Sequence, residues 1–217
     1  AYLFFGLLLP LLAAAAARAD HAALRRVLQR GFDAMVFAGV PLVAGAAAVG
    51  RPRMALVAGE PFALAGGVLL PLMVATAVIF IAALFGYGVV ALGKQRQLIA
   101  LYAANAAVTL AAYLWAIPRW GMWAAAYLTI ASELITLLGA AWVVYRTAGF
   151  TPRLATSARS LIAGLVMAAA LLPLAEVPVL LRLTLGGTLY LGLGVLLGVV
   201  PREAVLAWRP GRVVSHQ

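Results

Sequence analysis

Six carboxylates are present in this 217-residue chain, and one of them, Glu133, stands deep inside an apolar run. It is the thirteenth residue of Gly121–Tyr145, which puts it near the midplane of any bilayer that run crosses. An ionised group at that depth costs about 2.5 kcal/mol or more, so it needs a partner, water or a proton. Thr129 and Thr136, at i−4 and i+3, share its helical face, and Ala126 and Ala140 extend that face with small residues. The preceding run carries Tyr102, Asn105, Thr109 and Tyr113 at helical spacing. Two such stripes on neighbouring helices form either a wet cavity, where a polar substrate or coupling ion travels, or a polar seam that only joins the helices. The spacing leaves both open.

Asp33 lies close to Arg30 at the start of another apolar run. It reads as an interfacial ion pair or as a gating carboxylate. The segment Arg18–Arg30 reads as a short helix, with Leu24, Val27 and Leu28 on one face and arginines on the other. Such a helix is expected to lie along the membrane interface. There Arg25, Arg26 and Arg30 either anchor the topology or meet an anionic headgroup. Glu60 and Arg53 flank a short loop and read as solvated.

Other chemistry is excluded by residue type. There is no cysteine, and His21 and His216 are the only histidines. Disulfides, thiolate metal sites and His-rich sites are therefore absent. No glycine-rich phosphate loop, HExxH or nucleophile elbow occurs. No catalytic residue, cofactor or metal is expected. Gly194 and Gly198 form a GxxxG pair that reads as close helix packing.

The elements that carry these residues follow from composition. The chain is 66% hydrophobic and only 10% charged, with a mean hydropathy of +1.07. A soluble domain is nearer half apolar and a quarter charged, so lipid must solvate much of this surface. Long continuous runs such as Leu161–Leu172 and Leu183–Val200 indicate helices rather than alternating barrel strands. The expected fold is all-α, a polytopic transmembrane bundle of about seven spans. These are Tyr2–Ala17 (clipped), Gly31–Gly50, Phe62–Leu92, Leu98–Ile117, Gly121–Tyr145, Ser160–Ala175 and Val179–Val200. The third is long enough to tilt or to project into water.

Alternate hinges are basic. One set holds Arg18, Arg25, Arg26, Arg30, Lys94, Arg96, Arg146, Arg153, Arg159, Arg202, Arg209 and Arg212; the other holds Arg51, Arg53, Arg119 and Arg182. The positive-inside rule sends the richer set, and the C-terminus, to the cytoplasm. The net charge of +10 therefore orients the chain and does not point to nucleic acid. The opening inside an apolar run, without an initiator Met, reads as a truncation with helices missing upstream. The tight turn Glu176-Val177-Pro178 makes the last two spans a hairpin.

Four passages then resemble a known family. Leu9-Pro10-Leu11-Leu12 through Asp20 to Leu24-Arg25-Arg26 is similar to the "P-x-x-A…D…L-R-R" passage of polysaccharide flippases. Val57-Ala58-Gly59-Glu60-Pro61-Phe62 resembles their "Y-G-E-x-F" loop, and Ala91-Leu92-Gly93-Lys94-Gln95-Arg96 their "A-x-G-R-x-R" turn. Ile117-Pro118-Arg119-Trp120-Gly121-Met122-Trp123-Ala124-Ala125-Ala126, followed by Ser132-Glu133-Leu134, resembles "I-P-x-x-G-x-x-G-A-A…S-E-L". Together they cover residues 9–135. Trp123 departs from the family's small residue, and Ala58 from its aromatic.

The family is the oligosaccharide and polysaccharide flippases of the multidrug/oligosaccharidyl-lipid/polysaccharide exporter superfamily. The resemblance implies two six-helix lobes around a central cavity, with extra C-terminal helices. Residues 1–150 would then be part of the C-terminal lobe, 151–200 a peripheral hairpin and 201–217 a cytoplasmic tail. It implies an inner-membrane transporter that flips an undecaprenyl-diphosphate-linked glycan, working with a missing N-terminal lobe and coupled to protons or sodium. A lipid II flippase or a drug/cation antiporter is the nearest alternative. A membrane glycosyltransferase or ligase is disfavoured by the short external loops. A structural subunit is disfavoured by Glu133 and the polar stripes.

Overall fold

A computed structural model describes residues 2–58, 65–174 and 177–199. Among them every regular element is helical. Helix α1 (Tyr2–Ala17) ends where Ala19 takes a left-handed φ of 52°. Asp20 then starts α2 (His21–Ala58) by accepting a hydrogen bond from the Ala23 amide at 2.8 Å, which satisfies a first-turn amide that has no partner in the helix.

Helix α2 revises one expectation. The segment Arg18–Arg30 is not a separate interfacial helix, because from His21 onward it forms the first turns of α2 and runs unbroken into the apolar part. Gly31 at the junction acts as a packing contact rather than a break. A Cβ there would come within 2.6 Å of Leu84 Cδ1.

The third run is also revised. A 3-10 turn, Ala65–Gly67, precedes α3 (Leu69–Ala91). The helix is therefore about 35 Å long at 1.5 Å per residue, close to a bilayer's thickness, and needs no overshoot. Residues 59–64, with Glu60 and most of the "G-E-x-F" passage, lie outside the described residues, as do residues 200–217.

Helix α4 (Gln95–Ala148) contains one non-helical residue, Gly121, at φ 58° and ψ −139°. Asn105 bonds Thr136 across it, and Tyr113 bonds Thr129. The two arms, 95–120 and 122–148, are therefore antiparallel, and each is about 39 Å long. Only glycine adopts that conformation without cost, since other residues lose about 1–3 kcal/mol in sparsely allowed regions. We expect Gly121→Val to lower the midpoint of denaturation in detergent by an amount equivalent to about 2 kcal/mol. An unchanged midpoint would show that the turn tolerates a Cβ.

Gly149, in the left-handed conformation, ends α4 with its amide bonded to the Tyr145 carbonyl at 2.8 Å. Helices α5 (Ala155–Leu171) and α6 (Val179–Leu196) complete the chain. Four helices are long and apolar enough to cross a membrane, within His21–Ala48, Leu69–Ala91, Gln95–Ala148 and Val179–Leu196. The chain is thus a membrane-embedded helical bundle.

Two clusters hold it together. In the first, Leu12, Leu24, Leu28, Leu84, Val89 and Val144 join α1 to α4. In the second, Ala44, Ala163, Met167, Leu171 and Tyr190 seat α5 and α6 on α2. Tyr190 stacks on Phe37 at 4.8 Å and donates to the Phe37 carbonyl at 2.9 Å. Helix α4 packs chiefly on α3, so its outer face, with Val108, Leu114 and Leu138, stays exposed.

Candidate functional site

The α4 hairpin fixes the depth of its polar residues. At the turn, Trp115 and Trp120 meet edge to face at 5.1 Å, and Arg119 lies 4.7 Å from the Trp115 ring while donating to the Trp115 carbonyl. At the other end Arg146 lies 5.3 Å from the Trp142 ring, beside Tyr145. Aromatic residues paired with arginines favour the two membrane–water interfaces. Glu133 sits midway between Gly121 and Tyr145, about 18 Å of helix from each.

Between these anchors the two polar stripes meet. The Asn105 amide group donates to the Ser132 carbonyl at 3.0 Å, to Ser132 Oγ at 3.0 Å and to Thr136 Oγ1 at 2.9 Å. Its carbonyl oxygen accepts from Thr109 Oγ1 at 3.3 Å. Asn105 is buried, so these bonds offset its desolvation. Thr129 Oγ1 donates to the Ala125 carbonyl at 2.8 Å, which uses its one hydroxyl proton. The 2.8 Å contact with Tyr113 therefore has the phenol as donor. This leaves the Tyr113 oxygen able to accept a further bond.

A polar seam is present, and an open groove lies beside it. Asn105, Ser132, Thr136, Tyr113 and Thr129 form the seam. Next to it runs a groove of about 470 Å³, lined by Tyr102, Asn105, Thr109, Tyr113, Ser132, Glu133 and Thr136. Thr129 belongs to the seam and does not line the groove. Glu133 is half-buried and makes no hydrogen bond or ion pair with any described residue. A carboxylate held in this way among donors and acceptors already engaged is available to a ligand, an ion or water.

The remaining candidates gather elsewhere. Arg25, Arg26 and Arg30 line a second recess, of about 440 Å³, together with Gln29, Arg153 and the loop 149–152. Asp33 is beside it but does not form the expected ion pair with Arg30; it accepts from Gln29 Nε2 at 3.0 Å instead. Gln29 and Arg30, at i−4 and i−3, both neighbour Asp33 on the helix surface; the carboxylate takes Gln29, and Arg30 stays exposed.

Three residues escaped the sequence reading. Gln29 and Arg153 build the recess wall from positions distant in the chain. Arg182, placed by the sequence in the sparser set of basic hinges, is fully buried and donates to the Leu171 carbonyl, tying α6 to the end of α5. Its place four residues into an apolar run was the available signal.

No family model, curated protein or solved structure matches this chain.

Proposed function

We propose that this chain is the C-terminal lobe of an inner-membrane flippase that moves undecaprenyl-diphosphate-linked oligosaccharide by alternating access. The observation that carries the reading is the groove on the α4 hairpin, where seven polar or aromatic residues, Glu133 among them, line a surface halfway through two otherwise apolar arms. Polar and ionisable groups at that depth mark substrate and ion pathways. In this reading the Tyr102 and Ser132 hydroxyls and the Tyr113 oxygen offer the sugar hydroxyls hydrogen bonds. Glu133 binds a coupling proton or sodium ion, and a second lobe packs against the outer face of α4.

The charge distribution supports the orientation. Helix directions bring Arg25, Arg26, Arg30, Lys94, Arg96, Arg146 and Arg153 to one end, and Arg119 and Arg182 to the other. The first end, and with it the C-terminus, is cytoplasmic. The four sequence passages support the polysaccharide branch. A drug/cation antiporter is the second reading, favoured by a carboxylate between Tyr102 and Tyr113 in the same groove.

Reconstitution separates these. Proteoliposomes holding the intact gene product should translocate a fluorescent polyprenyl-diphosphate glycan, and those holding only these 217 residues should match empty liposomes, because one lobe cannot alternate access. Flipping by the 217 residues alone sinks the half-transporter reading. Gradient-driven uptake of an organic cation by the intact protein, without glycan flipping, establishes the antiporter.

A further inference from the structure

At the arginine-rich end of the fold, the loop 149–153 divides two recesses of opposite character. On one side lies the pocket of about 440 Å³ with Arg25, Arg26, Arg30 and Arg153 in its wall. On the other lies a groove of about 470 Å³ lined by Phe32, Ile81, Phe85, Leu138, Trp142 and Tyr145, among other residues. Phe150, Thr151 and Pro152 line both, so the two meet across the loop.

The loop is fastened in place. Gln29 Nε2 donates to the Arg153 carbonyl at 3.0 Å, and the Arg153 amide donates back to Gln29 Oε1 at 2.8 Å. Arg25 Nε donates to the Ala148 carbonyl at 2.9 Å. These bonds occupy backbone groups and one guanidinium nitrogen. Arg26, Arg30 and Arg153 remain exposed. Among the described residues no carboxylate lines the pocket, and Asp33 on α2 is turned to Gln29.

Among the described residues the arginine pocket thus carries a positive charge with no carboxylate in its wall, beside an apolar trough. Trp142 and Tyr145 place both at interfacial depth. Leu138, Trp142 and Tyr145 are exposed, so the trough opens sideways to lipid. A hydrophilic anion would leave the trough empty, and a neutral lipid would leave the arginines unpaired. A lipid with an anionic phosphate head satisfies both.

We propose that the two recesses hold one anionic phospholipid from the surrounding leaflet, with its phosphate among Arg26, Arg30 and Arg153 and an acyl chain along Phe85 and Trp142. The site is separate from the Glu133 groove and does not depend on what that groove carries.

Native mass spectrometry tests this on the protein released from micelles holding equal amounts of phosphatidylglycerol and phosphatidylcholine with matched chains. One phosphatidylglycerol should remain bound in preference to phosphatidylcholine. Arg26→Gln and Arg30→Gln should each weaken its retention about fivefold, and the triple variant with Arg153→Gln more than about twentyfold. All three side chains are exposed, so folding is expected to survive, and unchanged circular dichroism would verify it. Excess inorganic phosphate should leave the lipid in place, because phosphate cannot replace the chain in the trough. Equal retention of both lipids, unchanged retention in the arginine variants, or displacement by inorganic phosphate would overturn the proposal. Displacement by an equimolar polyprenyl diphosphate would assign the site to the transported lipid and overturn it as well.

Discussion

On the flippase reading proposed above, Glu133→Gln should lower gradient-driven flux about tenfold or more while the protein reaches the membrane at normal levels. The argument begins with energy. A carboxylate half-buried near the midplane is costly unless ionic or proton chemistry compensates. Seam residues engage one another instead, since Asn105 is taken up by Ser132 and Thr136, and Thr129 by Tyr113 and the Ala125 carbonyl. Glutamine preserves the shape and the hydrogen-bonding groups but cannot ionise. Losing a coupling free energy of ordinary size changes a response by about 5- to 150-fold. Flux is measured in proteoliposomes with an imposed proton or sodium gradient. If Glu133→Gln shows wild-type flux with the same gradient dependence, Glu133 has no part in coupling and serves packing alone.

Gly39→Leu produces the largest loss of stability. Helices α2 and α3 approach closely here, where a Cβ on Gly39 would lie 2.9 Å from Ala77 Cβ and 3.2 Å from its Cα. A flexible side chain could move aside, but the Ala77 backbone cannot. Small residues drive helix association in membranes by allowing this approach. A leucine must push α2 from α3, opening the cluster of Leu28, Leu84 and Val89, at a cost of about 3 kcal/mol. Gly187→Leu is the control, because nothing lies within 4 Å of a Cβ there. The denaturation midpoint in mixed micelles should fall for Gly39→Leu and hold for Gly187→Leu. Equal midpoints would mean that α2 and α3 can separate freely.

How much of this was visible beforehand varies with sequence distance. Hydropathy alone located the helical runs, because lipid-exposed helices need continuous apolar length. The stripe Tyr102, Asn105, Thr109, Tyr113 and its facing threonines were legible because helical period fixes a face, and a turn at Gly121 brings the two faces into register. The continuity of α2 was not legible. Arginines spaced on one face look like an interfacial helix whether or not the helix continues, and Gly31 looks like a break until Leu84 is seen against it. The arginine recess was half visible. Arg25, Arg26 and Arg30 cluster in sequence, but Arg153 and the loop that closes the pocket arrive from the far end of α4 through Gln29. Arg182 was counted with the hinge arginines because a charge near the end of an apolar run reads as a topology signal, whereas here it is buried against the end of α5.

The central claim is that the polar face of the α4 hairpin looks into water within the membrane. The chain has no cysteine, so single cysteines report cleanly. Ala106 and Leu110 line the groove, whereas Val108 and Leu114 lie exposed on the same arm and outside that lining. In membranes holding the intact protein, a charged thiol reagent should modify cysteines at 106 and 110 about tenfold faster than those at 108 and 114, because only a water-filled cavity delivers a charged reagent to that depth. Equal rates at all four positions, or no reaction at 106 and 110, would contradict the account and leave the polar stripes as a dry seam.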